Sequence, residues 1–293
     1  MKYLIRANID DNENLQAIAD NRARDLHHHP AIVLEILDQY QRYIEAEGNA
    51  GNPRAPVALR LAPALKRLLK GHYRDPPAEL AFIDQFRGSA TDVCPMCGGT
   101  NCSTIDHIFP QSQFAEFAFF SWNLVPACGC NVQRNDAYCG DQPGERVLHP
   151  YFDACLADRL VRAEITAVEG RFESPNIALL VLMEPDHSAR AALSFHLREI
   201  VFKTFIERHW IQLWGKLRRG PEMYFYLPPG AITAEQMTDA VTQKLQDTDA
   251  HFGTPNNWDS MLFAGVAASA EAKEYLQQRV GLLRARGLRR SLD

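Results

Sequence analysis

The sequence predicts an α+β protein that is mostly helical. Long segments repeat apolar residues every three or four positions, as residues 31–47 do with Ile32, Ile36 and Tyr40, and this spacing is typical of a helix that buries one face. Shorter segments, such as residues 160–167, alternate apolar and polar residues in the manner of strands. The chain has 293 residues, of which 46% are hydrophobic, so it is long enough for one large domain or two modest ones with a core.

The order of these elements predicts three regions. Residues 1–90 are expected to form a helical region, residues 91–155 a compact cysteine-rich core, and residues 156–293 an α+β region with a hairpin that turns at Glu169-Gly170. The expected elements are, in chain order, a short strand within residues 1–12; helices at 31–47, 59–73 and 77–86; strands at 104–110 and 123–126; a helix that begins at 131; strands at 160–167 and 176–183; one long helix at 188–217; a short strand at 223–227; and helices at 234–247, after Asn256-Asn257, and at 270–286.

The charge is unevenly distributed over the chain. The formal net charge is −5, which is unusual for a protein that binds nucleic acid but does not exclude it, because placement matters more than the sum. Residues 187–219 carry seven Lys and Arg against two Glu, and residues 279–290 carry five Arg and no acid. The helix at 59–73 is also basic. Each of these segments is interpreted either as a contact for phosphate groups or as a solvated face.

The cysteines form two closely spaced pairs, Cys94/Cys97 and Cys128/Cys130. A C-x-x-C turn aims two thiolates at one ion, and a second pair about thirty residues later would complete a tetrahedral zinc site. The second pair is C-G-C, so Cys102 or Cys139 is an alternative ligand, and four reduced thiols without metal are the simpler alternative. All seven cysteines lie within residues 94–155, and no signal peptide or membrane-length apolar run is present, which favours a reduced, cytoplasmic setting.

Polar residues suited to hydrolysis lie between and just after the cysteine pairs. Asp106 and His107 are adjacent in a predicted strand, Asn123 begins a second strand, and Asn131 opens a helix. An unperturbed histidine has a pKa near ~6.5 and can accept a proton at neutral pH. Carboxylate and amide oxygens are ligands for a hard ion such as Mg²⁺. Neighbouring residues of a strand point to opposite faces, so Asp106 and His107 serve one site only if the strand ends or bends there.

These residues resemble the motif of HNH nucleases, the ββα-metal family. The matching elements are Cys94-x-x-Cys97-Gly, Asp106-His107-x-x-Pro110, Asn123-Leu124-Val125-Pro126-x-Cys128 and Cys130-Asn131, followed by residues 148–153. The resemblance covers about sixty residues, and the interval from Asn123 to Asn131 is one residue shorter than in the family's pattern.

The resemblance implies a role for each matched residue. His107 would be the general base, and Asn123 would orient it. Asp106 and Asn131 would hold a catalytic Mg²⁺ or Mn²⁺. Cys94, Cys97, Cys128 and Cys130 would hold a structural Zn²⁺. Arg134, just inside the predicted helix, is interpreted either as a phosphate contact or as a solvated charge.

The sequence thus predicts a metal-dependent endonuclease that hydrolyses phosphodiester bonds, in DNA more readily than in RNA. Its size and architecture resemble larger HNH proteins of bacterial anti-phage defence, including Septu and retron effectors that pair with an ATPase, which would make an ATPase a partner. No Walker-type or Rossmann glycine motif is present, so the chain itself is not expected to use a nucleoside triphosphate. The alternative is a catalytically silent, zinc-stapled module that binds nucleic acid or protein.

Overall fold

The computed structural model describes residues 1–22, 24–88 and 91–290, and these form two compact units. The first unit contains Met1 and residues 3–155 and 185–204. The second contains Lys2, residues 156–184 and the residues from 205 onward. The N-terminal helices and the cysteine-rich segment therefore lie in one unit.

The described residues confirm a mostly helical α+β fold. The helices are α1 (Asp11–Asp20), α2 (Pro30–Glu45), α3 (Pro63–Arg74), α4 (Phe82–Gly88), α5 (Cys130–Arg134), α6 (Arg190–Glu199), α7 (Ile206–Arg219), α8 (Ala234–Phe252), α9 (Trp258–Ala268) and α10 (Ala270–Arg290). The strands are β1 (Thr104–His107), β2 (Leu124–Ala127), β3 (Val161–Val168) and β4 (Arg171–Val181). They form two separate antiparallel pairs, β1 with β2 and β3 with β4.

In the first unit, α2 packs on the segment between β1 and β2. Tyr40 and Tyr43 of α2 lie against an aromatic cluster; the ring centroids of Tyr40 and Phe120 are 3.9 Å apart, and those of Tyr43 and Phe109 are 4.9 Å apart. These side chains are at most 1% exposed. Burial of large rings in offset and edge-on contacts stabilises such a core. The aromatic cluster fixes the loop that follows β1.

In the second unit, α9 packs closely on the β3–β4 hairpin. A Cβ atom at Gly265 of α9 would overlap the backbone carbonyl of Ala163 in β3, so only glycine permits this approach. Trp214 of α7 donates its indole N–H to the carbonyl of Phe172 in β4, at 2.9 Å. The hairpin turns at Glu169-Gly170 as predicted, with both residues at positive φ. Asn257 caps α9, and Thr233 caps α8 with a capping box.

Three sequence predictions were wrong. Residues 1–12 and 223–227 contain no strand among the described residues. The predicted helix at 188–217 is divided into α6 and α7, which belong to different units. At the break, the Thr204 hydroxyl donates to the carbonyl of Val201 at 2.6 Å, and Thr204 itself is extended. Such local side-chain bonds compete with helical hydrogen bonds, and an apolar pattern alone does not register them.

Candidate functional site

The four predicted thiols converge in the first unit. The Sγ atoms of Cys94, Cys97, Cys128 and Cys130 all lie within 4.8 Å of one another. The Sγ atoms of Cys94 and Cys130 are 3.6 Å apart, and those of Cys97 and Cys128 are 3.4 Å apart, with no disulfide between them. A tetrahedron with Zn–S bonds of ~2.3 Å has edges of about 3.8 Å. The cluster can therefore hold one metal ion such as zinc.

The C-G-C pair shares this cluster because of the turn that carries it. Gly129 is in the αR region at the start of α5, which places Cys128 before the helix and Cys130 in its first turn. The backbone N–H of Cys128 donates to the sulfur of Cys94 at 3.4 Å, and that of Cys130 donates to the sulfur of Cys128 at 3.4 Å. Cys102 and Cys139 are outside the four-sulfur group found among the described residues.

Strands β1 and β2 bring the Asp106-His107 pair beside Asn123. In the antiparallel register, His107 faces Leu124 and Asp106 faces Val125, so Asn123 lies just beyond the paired end of β1. Strand β1 ends at His107, three residues before the predicted end at 110, and the Asp106 carboxylate turns back to accept the N–H of His107 at 2.8 Å. The chain order is strand, strand, helix, with the cysteine cluster next to the helix.

Asn123 fastens the loop between the strands. Its Oδ1 accepts the N–H of Phe109 at 2.7 Å, and its Nδ2 donates to the carbonyls of Phe109 and Phe117 at 3.0 and 3.3 Å. The hydroxyl of Tyr43 donates to the same Oδ1 at 3.1 Å. The side-chain amide, which is 0% exposed, thereby uses its full capacity of four hydrogen bonds.

A buried chain of hydrogen bonds joins Asn123 to Tyr43 and His149, and the sequence did not indicate it. The N–H of Tyr151 donates to Nδ1 of His149 at 3.2 Å, so the proton is on Nε2, which donates to the Tyr43 hydroxyl at 3.0 Å. Burial lowers the pKa of His149 to about 3, which keeps the ring neutral. A Cβ atom at Gly48, where φ is +62°, would overlap this ring. The only sequence signal for these contacts is the place of His149 directly after the motif.

His107 is held in one orientation and kept neutral. Its Nε2 lies 2.9 Å from the carbonyl of Ala118, and since a carbonyl can only accept, Nε2 carries the proton. The Gln111 amide lies 2.6 Å from the same nitrogen and can present its oxygen there by a half-turn of the amide. The Tyr73 ring meets the imidazole edge-on, with centroids 4.5 Å apart. Burial lowers the pKa of His107 to about 4, so the lone pair is on Nδ1 at neutral pH.

Arg134 lies inside the first unit and not on a solvated helix face. Its guanidinium donates from Nη2 to Oδ1 of Asp106 at 2.8 Å and from Nε to Oδ2 at 3.1 Å. It also donates to the carbonyls of His107 at 2.6 Å, Ala137 at 2.7 Å and Ile108 at 3.3 Å. The Arg134 side chain is 1% exposed. The solvated charge does not fit this burial; the phosphate contact remains a prediction, although Asp106 and the end of β1 occupy the guanidinium in this arrangement.

Asn131 is half-buried, whereas Asp106, His107, Asn123 and Arg134 are buried. Its Nδ2 donates to the hydroxyl of Thr104 at 3.3 Å, and its Oδ1 accepts the N–H of Val132 at 2.8 Å. The structure joins Asp106, His107, Asn123 and Arg134 in one hydrogen-bonded region. Asn131 is linked instead to the first residue of β1.

Comparisons of the chain with protein-family models, with curated proteins and with solved structures found no match. Among the described residues, no helix has both the length and the apolar character needed to cross a membrane.

Proposed function

We propose that the first unit is a metal-dependent phosphodiester hydrolase of the HNH type, in which His107 is the general base. The observation that carries the proposal is the hydrogen-bonded state of His107. With the Gln111 amide turned so that its oxygen faces the ring, the Nε2–H is held by the Ala118 carbonyl, and no hydrogen bond within the described residues engages Nδ1. A neutral imidazole with one nitrogen fixed and the other available is the state that a general base needs before it takes a proton from water.

The order of the elements around His107 supports the proposal. Strands β1 and β2 and helix α5 follow each other with the cysteine cluster at their side, and Asn123 connects the start of β2 to the loop that holds Ala118. The roles proposed are a base for His107 and a positioning residue for Asn123. A Zn²⁺ ion on the four cysteines would staple a scaffold that has only four residues in each strand.

The donor chemistry at Asp106 fits a hard divalent ion such as Mg²⁺ or Mn²⁺. Oδ1 accepts two hydrogen bonds, from the N–H of His107 and from Arg134, while Oδ2 accepts only one, from Arg134. A carboxylate offers about four lone-pair sites, so Oδ2 retains one. Mg²⁺ is commonly bound through one or two carboxylates together with water. Asp106 through Oδ2, and Asn131 through its amide oxygen, would hold the ion, which would stabilise charge on the leaving oxygen.

A second candidate function is the catalytically silent module. The observation that favours it is the ion pair between Asp106 and Arg134, since a buried guanidinium places a positive charge where the divalent ion would bind. A module that binds nucleic acid without cutting it needs the cysteine cluster and the fold but has no use for an unoccupied Nδ1 on His107.

The test is cleavage by the zinc-loaded full chain. Supercoiled plasmid and a structured RNA are incubated with Mg²⁺, with Mn²⁺ or without added ion, and wild type is compared with His107→Ala and with His28→Ala, an exposed histidine of the same unit. We expect ion-dependent cutting, unchanged in His28→Ala and about 100-fold or more slower in His107→Ala, because general base catalysis contributes about 10²–10⁴. Equal cutting by wild type and His107→Ala, or no cutting of either substrate by folded wild type, would favour the silent module.

The defence role and the ATPase partner extend this proposal through the resemblance alone. They predict that cells carrying the gene with its genomic neighbours survive phage infection, and that His107→Ala removes the protection. Equal survival with and without the His107 side chain would reject that extension.

A further inference from the structure

The longest basic segment that contains no acid ends beside His107. Residues 48–74 contain six Lys and Arg and no Asp or Glu: Arg54, Arg60, Lys66, Arg67, Lys70 and Arg74. The whole chain has 31 Lys and Arg against 36 Asp and Glu. Without this segment, 25 basic residues face the same 36 acids, so the rest of the chain has a formal charge of −11. Positive charge is therefore concentrated here.

Helix α3 carries four of these six cations, and they lie on one side of the helix. Its buried positions are Leu65, Leu69 and His72, which are four and three residues apart and face the interior of the unit. Lys66, Lys70 and Arg74 follow at intervals of four residues, so they form a row along the remaining surface, about 6 Å apart along the helix axis. Arg67 lies next to this row.

Most of these cations have no acidic partner. Among the described residues, Arg60, Lys66, Arg67 and Lys70 form no salt bridge, although the charge of Lys66 reaches the buried carboxyl of Glu116, and Arg74 pairs only with the exposed Asp75. A row of unpaired like charges repels itself, and it is stabilised by a ligand that carries several negative charges. The row thus indicates a polyanionic ligand, not a network within the fold.

The C-terminal end of α3 lies close to His107, the candidate base. Tyr73, in the last turn of α3, contacts the imidazole of His107 with its ring edge, at 4.5 Å between centroids. The guanidinium of Arg87 lies over the Tyr73 ring, 4.9 Å from its centroid, and donates to the Tyr73 carbonyl at 2.6 Å. Arg87 is exposed, but it also forms an ion pair with Asp84 at 3.0 Å, so it is not counted with the cations of the row.

We propose that the outer face of α3 binds the sugar–phosphate backbone of a nucleic acid and directs it to His107. The proposal rests on the proposed function for the identity of the site, but the binding surface is a separate property. Backbone phosphates supply the repeated negative charges that match the row, and such contacts position a strand without reading its sequence. This assignment gives α3 the phosphate contacts and not α7, which lies in the other unit.

The test compares two triple variants with equal loss of charge. The first is Lys66→Gln/Arg67→Gln/Lys70→Gln in α3, and the control is Arg208→Gln/Lys216→Gln/Arg219→Gln, at three exposed cations of α7. Both are made in His107→Ala, without added divalent ion, so that no cutting interferes. Binding of fluorescent duplex DNA, single-stranded DNA and RNA is measured by anisotropy at several salt concentrations, with zinc content and circular dichroism as checks on folding.

We expect the α3 triple variant to bind about tenfold or more weakly at ~0.1 M salt, and its slope of log affinity against log salt to be shallower by about 2–3, since each phosphate contact contributes about 0.7–0.9. The α7 variant should retain the parent's slope. The proposal is overturned if the α3 slope equals the parent's, if the α7 variant loses as much, or if the parent binds no nucleic acid. If the protein cuts in the presence of the ion but the α3 variant keeps the parent's slope, only the binding surface on α3 is rejected. If binding depends on α3 but no cutting is seen, the nuclease proposal is rejected and the binding surface stands.

Discussion

Replacing Arg134 with methionine tests whether its buried guanidinium is part of the structure. The substitution keeps an unbranched side chain of comparable length and helix propensity but removes every hydrogen bond to Asp106 and to the three carbonyls. It leaves the Asp106 carboxylate, whose side chain is 10% exposed, without its cation. Loss of one partner of a buried ion pair costs about 3–5 kcal/mol. Because domains are stable by only about 5–15 kcal/mol, this would remove a large part of the stability of the first unit.

The assay is urea unfolding followed by tryptophan fluorescence. Trp122 is the one tryptophan of the first unit and the other three lie in the second, so the change that differs between variants of the first unit is assigned to Trp122. The matched control is Arg42→Met, which breaks an ion pair of 2.7 Å in the same unit, but with side chains 48% and 57% exposed. Exposed pairs contribute about 0–1 kcal/mol, so the control should lose less than 1 kcal/mol. A loss in Arg134→Met no larger than in Arg42→Met would refute the reasoning.

A double variant separates the ion pair from the other contacts. Asp106→Leu/Arg134→Met removes both charges, so the buried carboxylate is no longer uncompensated. We expect it to be more stable than Arg134→Met alone, with a coupling energy of about 1–3 kcal/mol. If the two substitutions are additive, the stability comes from the three backbone carbonyls and not from the pair.

Three further predictions follow from the first unit. Burial lowers the pKa of His149 to about 3 and of His196 to about 4, so the stability that the neutral rings contribute is complete above pH ~6.5 and is lost as the pH falls toward 3–4. For each histidine, the free energy of unfolding should fall by about 2 kcal/mol between pH 7 and 5, which lowers the urea midpoint of the first unit. A midpoint independent of pH would contradict the burial argument. Gly48→Ala should destabilise the first unit by about 2–4 kcal/mol, because it combines positive φ with overlap on His149. Gly170→Ala, in the hairpin of the second unit, is also at positive φ but has open space around it and should cost its unit about 1 kcal/mol; equal losses would show that the overlap is relieved. Cys128→Ser should reduce bound zinc from about one per chain to well below that by elemental analysis, while Cys155→Ser retains it; full zinc in Cys128→Ser would remove that sulfur from the ligand set.

The local elements of the first unit were predictable because their signals are local. Strand β1 follows from the alternation after Thr104, although it ends three residues earlier than the predicted 104–110; Pro110, which lacks a ladder donor, is consistent with the shorter strand. The cysteine cluster follows from the C-x-x-C turn and a second pair at the usual distance. The C-G-C spacing left the ligand set open, because the αR conformation of Gly129 that lets both thiols share one site is a matter of three-dimensional geometry.

The contacts that the sequence did not predict join residues that lie far apart in the chain. Tyr43 and His149 are 106 residues apart, and their hydrogen bond exists only because α2 docks on the loop between β1 and β2. Arg134 has the spacing of a solvated helix charge, yet its helix is only five residues long and its side chain turns toward the end of β1. Periodicity describes which face of an element is apolar but not which polar group another segment will bring to it.

The candidate site around His107 depends on contacts with distant segments, whereas the cysteine cluster depends on two short turns. The sulfur ligands come from two short turns on either side of β1 and β2, and they can assemble once those turns meet. His107 needs more: the Ala118 carbonyl comes from the aromatic loop, that loop is held by Asn123, and Asn123 is held in part by Tyr43 of α2. A change that loosens α2, such as one at Gly48 just after its end, should therefore disturb His107 before it disturbs the four thiols. A motif confined to residues 94–136 would not depend on an N-terminal helix, whereas here helix α2 is part of the geometry around His107.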